Sequence, residues 1–179
     1  WASVAYVDGS LDGENGVGDF GYSIAGLVLG TDVYDDGQVQ AGLFGAINRV
    51  KLDEHDTVDQ EIEGDSYHIG AYGNWQRQDG WNVSGVLGFA FGDHDSTRQV
   101  PDVGAFTGGT AKADFDTFGY YLGAEVSRDI QYGRGVTITP AAALVYARTD
   151  QDGTTESGGG DFNFKLEDAD ADSLITALG

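Results

Sequence analysis

The chain has 179 residues, with 30 acidic against 9 basic side chains, a net charge of -21 and no cysteine. That charge excludes a nucleic-acid binder, which needs basic stripes to meet phosphate, and the missing cysteines exclude disulfides and thiolate chemistry. No apolar run reaches the roughly 18 residues of a transmembrane helix, which leaves a membrane barrel open because only alternate residues of its strands face lipid.

In chain order, WASVAYV reads as a first strand, followed by a loop over 8–19 rich in Asp and Gly. A second strand is predicted from Phe20 to Tyr34, with Ala25, Leu27, Leu29 and Val33 on one face and Gly26, Gly30 and Asp32 on the other. Asp35-Asp36-Gly37 supplies a tight turn. The third strand, Gln38 to about Asn48, sets Val39, Ala41, Leu43 and Ile47 against Gln38, Gln40, Gly42 and Asn48. A long acidic connection over 51–65 follows. The hairpin 66–92 turns at Gln78-Asp79-Gly80. Its first arm alternates Tyr67, Ile69, Ala71 and Trp75 with Ser66, His68, Gly70 and Asn74. Its second alternates Trp81, Val83, Leu87, Phe89 and Phe91 with Asn82, Ser84, Gly88, Ala90 and Gly92.

Beyond it lies an irregular segment over 93–114. The sixth strand, Phe115 to about Arg128, places Phe118, Tyr120, Leu122, Ala124 and Val126 opposite Thr117, Gly119, Gly123, Glu125 and Ser127. A turn near 131–135 leads to a seventh strand over 136–146, where Thr137 and Thr139 fall on the polar face and Pro140 removes a ladder donor. A polar loop over 150–161 precedes FNFKL, read as an eighth strand. A turn at 168–172 then opens a last run, 173–179.

A period of two gives each strand one greasy face and one small or polar face. The second face is too small and too polar to fill a core, so another sheet or lipid must cover the first. Long connections at 8–19, 49–65, 93–114 and 150–161 alternate with short ones at 35–37, 78–80 and 131–135, the layout of an outer-membrane barrel. The pattern predicts an all-β, antiparallel, up-and-down transmembrane β-barrel domain over 1–179, with Tyr34, Trp75, Trp81 and Tyr146 in an aromatic girdle. By parity, Asp32, Gln38, Gln40, His68, Asn74, Asn82, Ser84 and Glu125 face a hydrated lumen. The lumenal glycines leave room for a neighbouring strand's aromatic ring over the backbone. The alternatives are a self-contained eight-stranded outer-membrane barrel with adhesive loops, and a soluble lipocalin-like carrier with Phe89, Phe91 and Leu122 turned inward.

No constellation points to an enzyme. Asp168, Asp170 and Asp172, like Asp53, Glu54 and Asp56, alternate as calcium ligands do, but neither run continues as an EF-hand. The histidines His55, His68 and His94 are scattered, so no metal or cofactor is expected. Ser157 in TESGGG lacks a G-x-S-x-G elbow and reads as loop structure.

The blocks GLVLGTDVYDD (26–36), DSYHIGAYGNW (65–75), DGWNVSGVLGFAFGDHD (79–95) and FDTFGYYLGAEVSRD (115–129) resemble the β-domain of autotransporters, the translocator barrel of type V secretion. The likeness is sharpest in VTITPAAALVYARTDQDGTTESGGG (136–160), followed by DADADSLITALG (168–179). It implies a Gram-negative outer-membrane location and a barrel of twelve antiparallel strands, of which eight to nine fall within this chain. It also implies a helix threaded through the pore and an N-terminal passenger conveyed to or displayed at the cell surface. The implied partners are outer-membrane lipid, the protein's own passenger segment and the outer-membrane assembly machinery. The pore helix, the last strands and a terminal aromatic are expected outside this stretch, which reads as incomplete at its C-terminus.

Overall fold

The computed structural model describes residues 1–12, 19–55, 59–133 and 135–179. The strands are β1 (Ala2–Leu11), β2 (Asp19–Asp35), β3 (Val39–His55), β4 (Gln60–Gln76), β5 (Trp81–Val100), β6 (Gly109–Arg128), β7 (Ile130–Tyr132), β8 (Val136–Ile138), β9 (Ala141–Gln151), β10 (Thr154–Thr155), β11 (Lys165–Leu166) and β12 (Ala169–Leu178). Eight of them form one antiparallel meander in the order β1-β2-β3-β4-β5-β6-β9-β12. Its edges, β1 and β12, are not paired with each other, so the sheet is open. β7–β8 and β10–β11 are separate two-stranded ribbons.

Local chemistry sets the tight turns. Gly37 and Gly80 adopt φ of +83° and +86°, a region that costs a side chain but not glycine. Asp36 Oδ1 accepts hydrogen bonds from the backbone N–H of Gln38 and Val39 at 2.9 and 2.7 Å, which closes the β2–β3 turn.

The faces divide as the alternation requires. Leu43, Ile69, Leu87 and Leu122 are 53%, 61%, 46% and 54% exposed, and among the described residues the only buried hydrophobic side chains are Ala111 and Ala113. Phe89, Phe91 and Leu122 sit on this exposed outer face, not around a cavity. That disposes of the lipocalin alternative, which required Phe89, Phe91 and Leu122 to point into a closed interior.

The register measures the apolar belt. It begins at Trp81 near the tight turn and ends at a row of outward aromatics, where Tyr67, Phe91 and Phe118 stand in pairing register on β4, β5 and β6. From Trp81 to Phe91 the chain rises about 33 Å along the strand. At the usual barrel tilt of roughly 40° that is about 25 Å across the membrane, the height of an outer-membrane belt. One step past the aromatics the outer face turns ionic: Arg49, Asp65, Asp93 and Asp116 are in register, then Lys51, Glu63, Asp95 and Asp114. Arg49 Nε donates to Asp65 at 2.9 Å, and Lys51 pairs with Glu61 and Glu63. Asp114, hydrogen-bonded to Asp95, pushes the Asp95 carboxyl above the ordinary range.

The inner face inverts at the same level. Within the belt it carries small and polar residues together with Phe44, Tyr72 and Tyr121, whose rings lie over glycines, whereas above it Ile24–Val50 and Tyr22–Leu52–Ile62 lie in register. The outer solvent explains the switch: lipid demands an apolar exterior, while water around the extended wall allows apolar residues to move inside.

Four expectations are corrected. The long connections over 49–65 and 93–114 are mostly strand: β3 runs to His55, β4 starts at Gln60, β5 reaches Val100 and β6 starts at Gly109. Charged outer positions hid these extensions, because water there removes the apolar stripe. FNFKL is not a wall strand; it forms part of the 3-10 turn Gly160–Phe162 and β11, and the wall's eighth strand is β12. Thr137 lies in β8, outside the main sheet, because Pro140 ends that ribbon before β9 begins. Thr139 follows β8 and donates to Asp129 Oδ1 at 2.7 Å.

Candidate functional site

The inner wall near the tight turns gathers most of the predicted lumenal residues. Gln40 on β3, Asn74 on β4, Ser84 on β5 and Glu125 on β6 are consecutive register partners, a polar shelf across four strands. One row nearer the rim, Gln76 pairs with Asn82 and Asn82 with Ser127, while the Gln38 carbonyl accepts from Gln76 N–H at 2.7 Å. Gln38 itself stands in the turn, just outside the strand.

One row above the shelf, beside Gly42, Asp32 is held by aromatics. Tyr72 O–H donates to Asp32, and Trp1 Nε1–H donates to Tyr72 Oη at 2.7 Å. The Trp1 and Tyr72 rings meet edge-on at 5.7 Å. Higher on the same face Asn48 Nδ2 lies 2.9 Å from His68 Nε2, and the His68 ring faces Tyr121 at 6.0 Å. His68 therefore belongs to a separate level.

Glycine makes this face possible. Trp1 covers Gly30, Tyr72 covers Gly42, Phe44 covers Gly70 and Tyr121 covers Gly88, each where a Cβ would collide with the ring. Sequence parity assigned the glycines to this face but did not identify their partners. Phe44, Tyr72 and Tyr121 were missed because the apolar stripe drew every aromatic outward. The signal was available: each shares the parity of the polar set.

The aromatics expected in a girdle divide. Tyr34, Trp75 and Trp81 stand beside tight turns, and Arg77 and Arg128 lie over the Trp75 and Trp81 rings at 5.5 and 5.2 Å. Tyr146 is mid-strand, opposite Leu122 and Leu174, with its ring 6.1 Å from Tyr120.

At the other end of the wall the connection from β9 to β12 folds over the inner face. Arg98 Nε and Nη2 donate to Glu156 Oε1 and Oε2 at 3.0 and 2.5 Å, and Nη2 also donates to the Phe162 carbonyl at 3.0 Å. Phe164 N–H donates to Glu156 Oε2 at 2.8 Å, and the Arg98 guanidinium lies 4.3 Å over the Phe164 ring. The two charged side chains are only 12% and 6% exposed. Arg98 beside it holds the Glu156 carboxyl below its usual range. Lys112 and Ser157 exchange backbone hydrogen bonds at 2.8 and 2.9 Å, tying the loop to β6. TESGGG is thus a strap anchored by a residue 58 positions away, invisible to local reading.

The acidic runs are used structurally. Asp168 Oδ1 accepts from Gly153 N–H at 2.7 Å and Asp170 pairs with Arg148 at 3.2 Å. Asp56 lies outside the described residues. His94 sits 3.2 Å from Thr117 Oγ1 and stacks on Phe115.

Comparison with known proteins agrees with this wall. The family model of the autotransporter beta-domain matches residues 1–179. An uncharacterized protein of Salmonella typhimurium, YaiT, is 26% identical over 144 residues, which is 80% of this chain and 14% of that protein. The translocator domain of autotransporter NalP from Neisseria meningitidis superposes with a TM-score of 0.79 at 15% identity, over 99% of this chain and 59% of that one. The chain thus spans less than two thirds of either match, 14% of the first and 59% of the second. With one face suited to lipid, the other to water, and a family match along its length, the chain belongs to the autotransporter β-domain family, the outer-membrane β-barrel translocators of type V secretion.

Proposed function

We propose that this wall conveys an N-terminal passenger to the cell surface, or displays it there, with part of that polypeptide resting against the inner face. The observation that carries the reading is the two-faced belt of about 25 Å, apolar outside and lined inside by the shelf of Gln40, Asn74, Ser84 and Glu125. Asp32, Gln38, His68 and Asn82 complete a hydrated lining in which polar chain is solvated at no desolvation cost. Trp75, Trp81 and Tyr34 mark the periplasmic interface, with the tight turns below it. Tyr67, Phe91 and Phe118 mark the outer one, with the ionic extension beyond it. Insertion falls to the outer-membrane assembly machinery, and no catalytic role is assigned to any side chain.

The test uses the full-length parent protein in its native outer membrane. Protease added to intact cells is expected to shave the passenger while leaving a folded barrel whose mobility in SDS changes on heating. A passenger that stays protected on intact cells, behind a correctly folded barrel, refutes the reading.

A further inference from the structure

At the tight-turn rim the outer face sets arginine against tryptophan. Arg77 N–H donates to the Trp81 carbonyl at 2.8 Å across the β4–β5 turn, and Trp81 is in register with Arg128 on β6. The three form one Arg-Trp-Arg row on the lipid-facing parity, at the edge of the apolar belt. The backbone beneath them is held. Gly80 N–H donates to the Arg77 carbonyl at 3.1 Å, Asp129 N–H to the Gly80 carbonyl at 2.8 Å, and Arg128 N–H to the Pro140 carbonyl at 3.1 Å. Each guanidinium lies on an indole, Arg77 over Trp75 at 5.5 Å and Arg128 over Trp81 at 5.2 Å. Arg77 also meets the Asp79 carboxylate at 3.1 Å. Arg128 is exposed, and among the described residues no carboxylate pairs with it, although both strands that flank β6 are in place. Its chain neighbour Asp129 has the opposite parity and accepts from the Thr139 hydroxyl instead.

We propose that this row binds the phosphodiester of a phospholipid headgroup at the tight-turn rim, with Arg128 as its main donor and Arg77 as its second. The site needs the barrel in its membrane, not a passenger in the lumen, so it stands apart from the conduit reading. Depth selects the ligand first: interfacial tryptophan lies where acyl chain gives way to headgroup, and the guanidiniums beside it meet phosphate there. Geometry selects it next. A guanidinium stacked on an indole keeps its in-plane N–H fork free, and that fork matches two phosphate oxygens. The stacking also orders a long side chain before the lipid arrives, which lowers the entropy lost on binding. Charge points the same way. Arg77 and Arg128 against Asp79 leave a local positive excess on a chain whose net charge is -21, so an anion is drawn to this rim. The two arginine backbones stand two strand spacings apart, about 10 Å, within reach of one headgroup for side chains of this length.

The test is native mass spectrometry of the purified full-length protein released from detergent micelles. It reads the apparent Kd of the first bound lipid for phosphatidylglycerol, phosphatidylethanolamine and diacylglycerol. Wild type is expected to bind both phosphodiesters more tightly than diacylglycerol, which has no phosphate. Arg128→Gln should weaken both roughly fivefold, the factor that an exposed ion pair carries, and leave diacylglycerol unchanged. Arg128→Lys should weaken them about twofold, since it keeps the charge and loses the fork. Lys112→Gln makes the same charge change on the outer parity of β6 at its far end, and should match wild type. If Arg128→Gln gives no heat-modifiable barrel, Arg128→Lys decides. Phosphodiester affinities that are equal in wild type and the Arg128 variants overturn the site. Displacement of the lipid by an equal concentration of inorganic phosphate overturns its assignment to a headgroup and leaves a site for free anions.

Discussion

Removing Glu156 is the sharpest perturbation of the strap. Glu156→Ala leaves the Arg98 guanidinium, 12% exposed, without its carboxylate, and Phe164 N–H without an acceptor. Breaking a buried pair on one side costs about 3–5 kcal/mol, more than the two backbone bonds of Lys112 and Ser157 return at about 1 kcal/mol each. The loop should therefore lift rather than keep a bare charge buried, and the wall beneath it should stay folded. Hydrogen exchange of the Ser157, Lys112 and Phe164 amides measures this directly. A loss of about 3 kcal/mol is more than a hundredfold in protection, with β3 and β4 amides unchanged. The double variant Arg98→Met with Glu156→Met should recover most of the protection, since apolar replacement of a whole buried pair is close to neutral. The sign with pH follows from the depressed Glu156 carboxyl. Its contribution is complete above the unfolded value of about 4.5 and is lost as pH falls through the lower folded value. Unchanged protection in Glu156→Ala would falsify this account.

Three further outcomes follow from the wall. Leu87→Lys, near the middle of the Trp81–Phe91 span, should cost about 2–4 kcal/mol in barrel stability, whereas Asp95→Lys beyond Phe91 should cost under about 1 kcal/mol; equal costs in a urea titration would move the membrane boundary. Gly88→Val drives a side chain into the Tyr121 ring and should cost about 1–3 kcal/mol, read as a lower heat-modification temperature, while Gly85→Ala on the open outer face should be near neutral. Trp81 and Trp75 should be quenched by lipids brominated near the headgroup more strongly than by lipids brominated at the chain ends; the reverse order would remove them from the interface.

Much of the wall was legible in the sequence. Alternation assigned Leu43, Ile69, Phe89 and Leu122 to the greasy face and Asn74, Ser84 and Glu125 to the other, and the register then set three of those polar residues side by side. Legibility ended where the solvent changed. From Asp93 to Val100 the strand continues with Asp95 outside and Ser96 inside, so the hydrophobic period that marks a strand in lipid disappears. Aromatics misled in the same way. Tyr72 and Tyr121 point inward because a glycine on the next strand receives each ring, and only pairing register reveals which glycine that is.

The amino-acid sequence by itself determined the period-two faces and the glycine turns at Gly37 and Gly80. These are properties of one strand or one turn, set by backbone sterics and by which solvent each side chain meets. The tertiary structure alone decided that Gln40, Asn74, Ser84 and Glu125 form one shelf, that the belt stops at Tyr67, Phe91 and Phe118, and that Glu156 reaches back to Arg98. Those relations join residues tens of positions apart. They depend on strand register, where a slip of one residue would exchange the two faces of every strand it touched.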